Sequence, residues 1–168
     1  THNLTLSLMI SLVWASILFF FSVPIVDFYE LKSHIADNAV NYLRIVSTAF
    51  PFVFMSAAAT GIFNASGRSK IPFTINGIGL AINMILDPLF IFVFDWKTDG
   101  AAWATWIAQA CVFFFFVYQL KYKQILWEEF RFFGKLKRIY TTRIIKIGLP
   151  VACLNTLFAF VNMFLGRT

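Results

Sequence analysis

The sequence predicts an all-α fold, a polytopic membrane helix bundle with about five transmembrane helices. Three observations carry this. Of the 168 residues 60% are apolar and only 13% charged, the mean hydropathy is +0.75, and the apolar residues gather into five long runs divided by short polar segments. A soluble domain carries about 25% charged residues. So few polar groups could not cover a soluble globule, which excludes a disordered segment, a nucleic-acid-binding arm and an ordinary cytosolic enzyme. Thr1 is not an initiator residue, no charged segment precedes the first apolar run, and the chain stops just after the fifth. It therefore reads as an internal piece of a longer protein.

A bilayer core of about 30 Å takes roughly 20 helical residues to cross, and the five runs meet that length at residues 4–29, 40–63, 71–94, 100–120 and 144–165. Pro24, Pro51 and Pro150 are placed to kink the first, second and fifth spans. Between the spans lie a polar stretch at 30–39, a Gly/Ser turn at 64–70, a tight hairpin at 95–99 and a long basic segment at 121–143. Short loops make neighbouring spans antiparallel. Small residues cluster in the second span (Ser56 to Gly61) and in the fourth (Gly100, Ala101, Ala102, Ala104 and Ala108), which permits close helix contact or sliding.

The formal charge of +6 resides mostly in the loops. Arg68 and Lys70, with Lys121, Lys123, Arg131, Lys135, Lys137, Arg138, Arg143 and Lys146, give ten cations on one side, against Lys32, Arg44 and Lys97 on the other. Positive loops stay inside, so loops 64–70 and 121–143 are expected in the cytoplasm of a multi-pass protein of the inner or plasma membrane. Leu126, Trp127, Phe130 and Phe133 recur at helical spacing among charges, so 121–143 reads as an amphipathic linker on the inner membrane surface. It either simply joins two bundles or adds a partner or lipid contact. Cys111 and Cys153 lie inside apolar runs and are expected to be free.

Seven of the eight acidic residues fall in loops or at span ends; Asp87 falls inside the third span. It lies on the order of 10 Å below the outer end of that span, where a carboxylate costs at least about 2.5 kcal/mol and is ordinarily paired, protonated or lining a wet cavity. Asn83 stands one helical turn before it and Asn76 two turns before Asn83 on the same face. Pro88 has no amide hydrogen and so releases the carbonyl of Met84 from its helical bond. Thr105 comes to nearly the same depth on the next, antiparallel span, with Gln109 one turn deeper. Asp87, Asn83 and Thr105 are thus candidate cation-coupling residues, and Asn76 and Gln109 candidate cavity-lining ones. Carboxylate, amide and hydroxyl oxygens are hard donors of the kind used by Na⁺ or by a transferable proton, and the alternative is a structural hydrogen-bonding role for Asp87 at a proline bend. Gly77 and Gly79 make only part of a dinucleotide fingerprint, inside a membrane run, and carry no nucleotide reading. No arrangement of nucleophile, base or metal ligands indicates an enzyme or a resident cofactor.

The runs Gly61-Ile-Phe-Asn-Ala-Ser-Gly-Arg-Ser-Lys-Ile-Pro72, Ile82-Asn-Met-Ile-Leu-Asp-Pro-Leu-Phe-Ile-Phe92, Asp99-Gly-Ala-Ala-Trp-Ala-Thr-Trp-Ile-Ala-Gln109 and Lys146-Ile-Gly-Leu-Pro-Val-Ala152 together resemble the multidrug and toxic compound extrusion (MATE) family of cation-coupled transporters. The resemblance implies a 6+6 pseudo-symmetric transporter of which this chain holds helices three to seven. Residues 1–120 would be the last four helices of the amino-terminal bundle, 121–143 the connection, and 144–168 the truncated first helix of the carboxy-terminal bundle. It also implies that Asp87, Asn83 and Thr105 bind Na⁺ or H⁺ together with an aspartate of a first helix that this chain does not contain. One branch of the family has an acidic residue on the seventh helix, where this chain has Phe158.

The expected function is then a secondary antiporter exporting amphipathic or cationic drug-like compounds in exchange for Na⁺ or H⁺. Its partners would be the small-molecule substrate, the lipid bilayer and the missing helices of the same transporter, with no nucleic acid. A lipid-linked oligosaccharide flippase of related architecture would need a strongly cationic cavity, and a non-transporting membrane scaffold would have no use for Asp87, Asn83 and Thr105 at one depth.

Overall fold

The computed structural model describes residues 2–29 and 33–122, together with Leu157. Among them there are helices and turns only: α1 (His2–Phe20), α2 (Ser22–Asp27), α3 (Ser33–Ala65), α4 (Lys70–Pro88), a π-helical continuation of α4 (Leu89–Val93) and α5 (Lys97–Tyr122). The fifth span, the segment 121–143 beyond Tyr122, Cys153 and Phe158 lie outside the described residues, as does the division into two bundles.

The first span differs from expectation by being split at Phe21. Pro24 is the cause. Its ring has no N–H to give Phe20 and would meet that carbonyl in a continuous helix, whereas the first turn of a new helix tolerates proline. The ladder passes around the gap through Phe21 N–H to Ile17 O (2.8 Å) and Ile25 N–H to Phe21 O (3.0 Å). Pro51 does not have that effect, for α3 runs through it as a 33-residue helix. At about 1.5 Å per residue α3 exceeds the hydrocarbon thickness. It takes up residues 33–39, expected to be loop.

The α3–α4 turn is closed by a Schellman motif. Arg68 N–H donates to Phe63 O (2.9 Å) and Gly67 N–H to Asn64 O (3.0 Å). Gly67 supplies the left-handed φ of 70° that this turn requires. The hairpin before α5 is tighter than expected, because α5 begins at Lys97; Asp95 and Lys97 take φ of 55° and 49° to make it.

Three helices are long and apolar enough to cross a membrane, Ile35–Ala65, Lys70–Val93 and Lys97–Lys121, with a shorter apolar helix at Leu4–Phe20. The chain is a multi-pass membrane protein, and its packing is consistent with that. The buried positions are mostly small, with Ala49, Ala58, Ala59, Ala102, Ala104, Ala108, Ser11, Ser22 and Ser47 all nearly inaccessible, while Phe73 and Phe92 are 83% and 80% exposed. Lipid provides no drive to bury phenylalanine, so helices meet through small side chains. α5 makes its most extensive contact with α3. Phe63 of α3 stacks on Phe116 of α5 with ring centroids 5.9 Å apart, in a core completed by Ala59, Ile75, Val112 and Leu120. Of the small-residue cluster of the second span, Ala59 lies in this core; Ser56 and Ala58 are also buried, while Ala57 and Gly61 are exposed.

Candidate functional site

α4 and α5 are antiparallel, joined by the hairpin, and a pocket of about 230 Å³ opens between them. Its wall includes Asn76 and Asn83 from α4 and Thr105 and Gln109 from α5. Helical periodicity explains the grouping. Asn76 and Asn83 are two turns apart on one face of α4, and Thr105 and Gln109 one turn apart on α5. Four of the five residues singled out from the sequence therefore share one cavity.

Asp87, the fifth, does not line that pocket. It is half-buried in the last turn of α4, and Asn83 Nδ2 donates to its Oδ1 over 3.4 Å, at the long limit for a hydrogen bond. With its amide nitrogen turned to the carboxylate, Asn83 keeps its carbonyl oxygen as an acceptor. Thr105 Oγ1 donates to Ala101 O of its own helix (3.0 Å), so its hydroxyl proton is committed and its lone pairs stay available to a cation. Among the described residues no three His, Cys, Asp or Glu side chains gather as a metal cluster. A cation in the pocket would meet neutral oxygens, with the Asp87 carboxylate adjoining through Asn83; these are hard donors of the kind suited to Na⁺ and, at Asp87, to a proton.

Two glycines, neither assigned this role from the sequence, let α4 and its π-helical continuation approach α5 closely. A β-carbon on Gly79, a buried residue of the pocket wall, would overlap Val112 Cγ2. A β-carbon on Gly100 would come within 2.9 Å of the backbone carbonyl of Phe90. The helices thus touch at Gly79 and again at the hairpin, where Gly100 meets the π-helical segment. The signal for Gly79 was present in the spacing: it stands three residues after Asn76 and four before Asn83, on the polar face.

Pro88 marks where α4 changes geometry. Beyond it the ladder widens to π spacing, as in Phe94 N–H to Leu89 O (3.2 Å). Proline cannot donate, and a π-helical turn is one way a helix absorbs the mismatch, a feature frequent at functional sites.

The MatE family profile matches residues 1–89. The multidrug export protein MepA of Staphylococcus aureus (strain bovine RF122 / ET3-1) is 29% identical over 127 residues, covering 75% of this chain and 28% of MepA. Protein DETOXIFICATION 42 of Arabidopsis thaliana is 38% identical over 88 residues, 51% of this chain and 17% of its own length. The chain thus spans under a third of these relatives. Among solved structures, a MATE crystal structure in the bent conformation superposes with a TM-score of 0.85 at 23% identity, covering 97% of this chain and 36% of that one. An inward-facing multidrug resistance MATE family transporter of the MOP superfamily gives 0.79 at 23% identity, over 89% and 34%. Helix order, the α4–α5 pairing and the family match agree, and the chain belongs to the MatE family of membrane transporters.

Proposed function

We propose that this chain is part of the amino-terminal half of a secondary antiporter that exports amphipathic or cationic compounds in exchange for Na⁺ or H⁺. The observation that carries the reading is the α4–α5 pocket, where Asn76, Asn83, Thr105 and Gln109 converge next to a membrane-embedded carboxylate held by a single long hydrogen bond. MepA, a multidrug export protein, supports drug export as the activity.

The mechanism is competition between two occupants. Binding of a cation or proton at Asp87, Asn83 and Thr105 neutralises the carboxylate and favours one packing of α4 against α5; the exported compound favours the other. A ligand shifts such an equilibrium only by its differential affinity for the two states. The charge is therefore the switch, and the Gly79 and Gly100 contacts are the surfaces it moves. Among the described residues no lysine or arginine lines the pocket, which favours cation coupling over a flippase for anionic lipid-linked sugars. In this reading loops 64–70 and 121–143 face the cytoplasm, as the positive-inside balance of the sequence requires.

The test is dye efflux from proteoliposomes by the full-length transporter carrying this chain, with imposed Na⁺ or pH gradients. Asp87→Asn is expected to abolish gradient-driven efflux while membrane insertion stays normal, and the gradient that drives the parent identifies the ion. Efflux by Asp87→Asn at the parental rate would refute the assignment.

A further inference from the structure

The other side of the α4–α5 pair carries a second, larger cavity, a groove of about 770 Å³ lined by Lys70, Thr74 and Ile78 of α4 and by Phe114, Tyr118 and Gln119 of α5, among others. At 100° per residue, Thr74 and Ile78 lie about 140–180° around α4 from Asn76 and Asn83, and Phe114 and Tyr118 lie equally far around α5 from Thr105 and Gln109. The groove therefore faces away from the polar pocket. Its wall is apolar for most of its length, with Phe114 and Tyr118 63% and 56% exposed.

Three features of one end indicate what fills it. Lys70, the first residue of α4, lines the groove there, and exposed Arg68 and Lys121 belong to the same end of the helix pair. The amino terminus of α4 adds the positive end of its macrodipole. Gln119 lines the groove as well, and its side-chain carbonyl oxygen is buried with no hydrogen-bond partner among the described residues. A buried acceptor without a donor is costly. The end thus offers cations to an anion and an acceptor to a hydroxyl, above a slot suited to a hydrocarbon chain.

We propose that this groove binds one anionic phospholipid from the leaflet that contains the α3–α4 turn. An acyl chain occupies the slot between Ile78 and Phe114, the phosphate is neutralised by Lys70, and a headgroup hydroxyl donates to Gln119. A bilayer presents such molecules to every lipid-facing groove, and a basic residue near the surface favours an anionic headgroup by about five-fold. This reading depends on the membrane topology and not on the coupling assignment at Asp87.

Native mass spectrometry of the delipidated full-length transporter carrying this chain tests it, by titration with phosphatidylglycerol or phosphatidylcholine of matched acyl chains. The first phosphatidylglycerol adduct is expected to form about five-fold more readily than the phosphatidylcholine adduct. Lys70→Gln should lower that preference, and Ile78→Trp, which fills the slot from an exposed position, should weaken both lipids alike. Glycerol phosphate, having the anion without the chains, should not compete. Equal retention of the two lipids by the parent, a preference unchanged by Lys70→Gln, adducts unaffected by Ile78→Trp, or competition by glycerol phosphate would each overturn the proposal. Both variants alter exposed side chains, and an unchanged melting temperature in detergent confirms that they are folded.

Discussion

Two proline-disrupted regions each hold a charged side chain within an apolar helix, and they treat it differently. At the α1–α2 break, Arg44 Nε donates to Ser22 Oγ (3.0 Å); Ser22 in turn donates to Phe19 O (3.0 Å), and Ser47 to Arg44 O (2.7 Å). The guanidinium also stands 5.9 Å from the Phe19 ring centroid. At the α4 bend, Asp87 has one 3.4 Å bond from Asn83 and an adjoining pocket lined with polar groups. The first charge is bound into the fold and the second is left with coordination capacity. A buried or membrane-embedded charge without full compensation is costly, and such groups mark functional positions. Under the proposed function, this difference would make Asp87 the group that meets a transported ion and Arg44 a structural clasp.

The largest expected effect follows from that contrast. Asp87→Asn should reduce gradient-driven efflux to the level of empty vesicles, whereas Arg44→Ala should leave the gradient dependence intact and lower the melting temperature instead. Efflux assays and thermal unfolding of the same preparations would show the two effects separating. If Arg44→Ala abolished coupling as well, the contrast would collapse, and Arg44 would have to be placed in the transport cycle.

Next in size are the glycine contacts, which adjust how closely the Asp87 region can pack. Gly100→Ala puts its methyl against the Phe90 backbone, which cannot rotate away, and overpacking of this kind costs about 1–3 kcal/mol. Gly79→Ala overlaps the Val112 side chain, whose χ1 can change, and reaches the Ala108 backbone oxygen only at ordinary contact distance, so its cost should be the smaller of the two. Melting temperatures in detergent check this order. Equal losses would mean that Val112 is as firmly held as backbone.

Much of the site was legible because a helix fixes relative direction. Once residues 71–94 and 100–120 are helical, Asn76, Asn83, Thr105 and Gln109 have only a few ways to meet, and the pocket contains all four. Asp87 shares their face but lies outside the pocket. It stands at the hairpin end of α4, where Gly100 and Phe90 bring the backbones together, and no local pattern encodes that approach. The prolines show the same limit. Pro24 and Pro51 carry one signal, yet only Pro24 divides a helix. α3 is packed against both α1 and α5, with buried Ala49 and Met55 flanking Pro51, and these tertiary contacts hold it continuous where propensity alone would break it. The place of Gly79 on the polar face was legible, but the contact that gives it a role was not, since it depends on Val112, 33 residues later.

The smallest effect concerns the clasp itself. Ser22 is fully buried, so in Ser22→Ala no water replaces the lost hydroxyl, while the exposed guanidinium of Arg44 can turn to solvent or headgroups. The loss should therefore be about 1 kcal/mol, the usual net value of one hydrogen bond. Arg44→Ala should cost somewhat more, because it also removes the contact with Phe19, an exposed cation–π pair of about 0.5–1 kcal/mol. If the two side chains stabilise the break through each other, the double variant should lose less than the two single losses together. The shortfall should approach the Ser22 term, since residues sharing a hydrogen bond are coupled by about 0.5–3 kcal/mol. A double-mutant cycle read by thermal unfolding measures this coupling. Strict additivity would mean that Pro24 and the packing of α3 hold the α1–α2 break without the Arg44–Ser22 bond, leaving Arg44 a charge with spare capacity like Asp87.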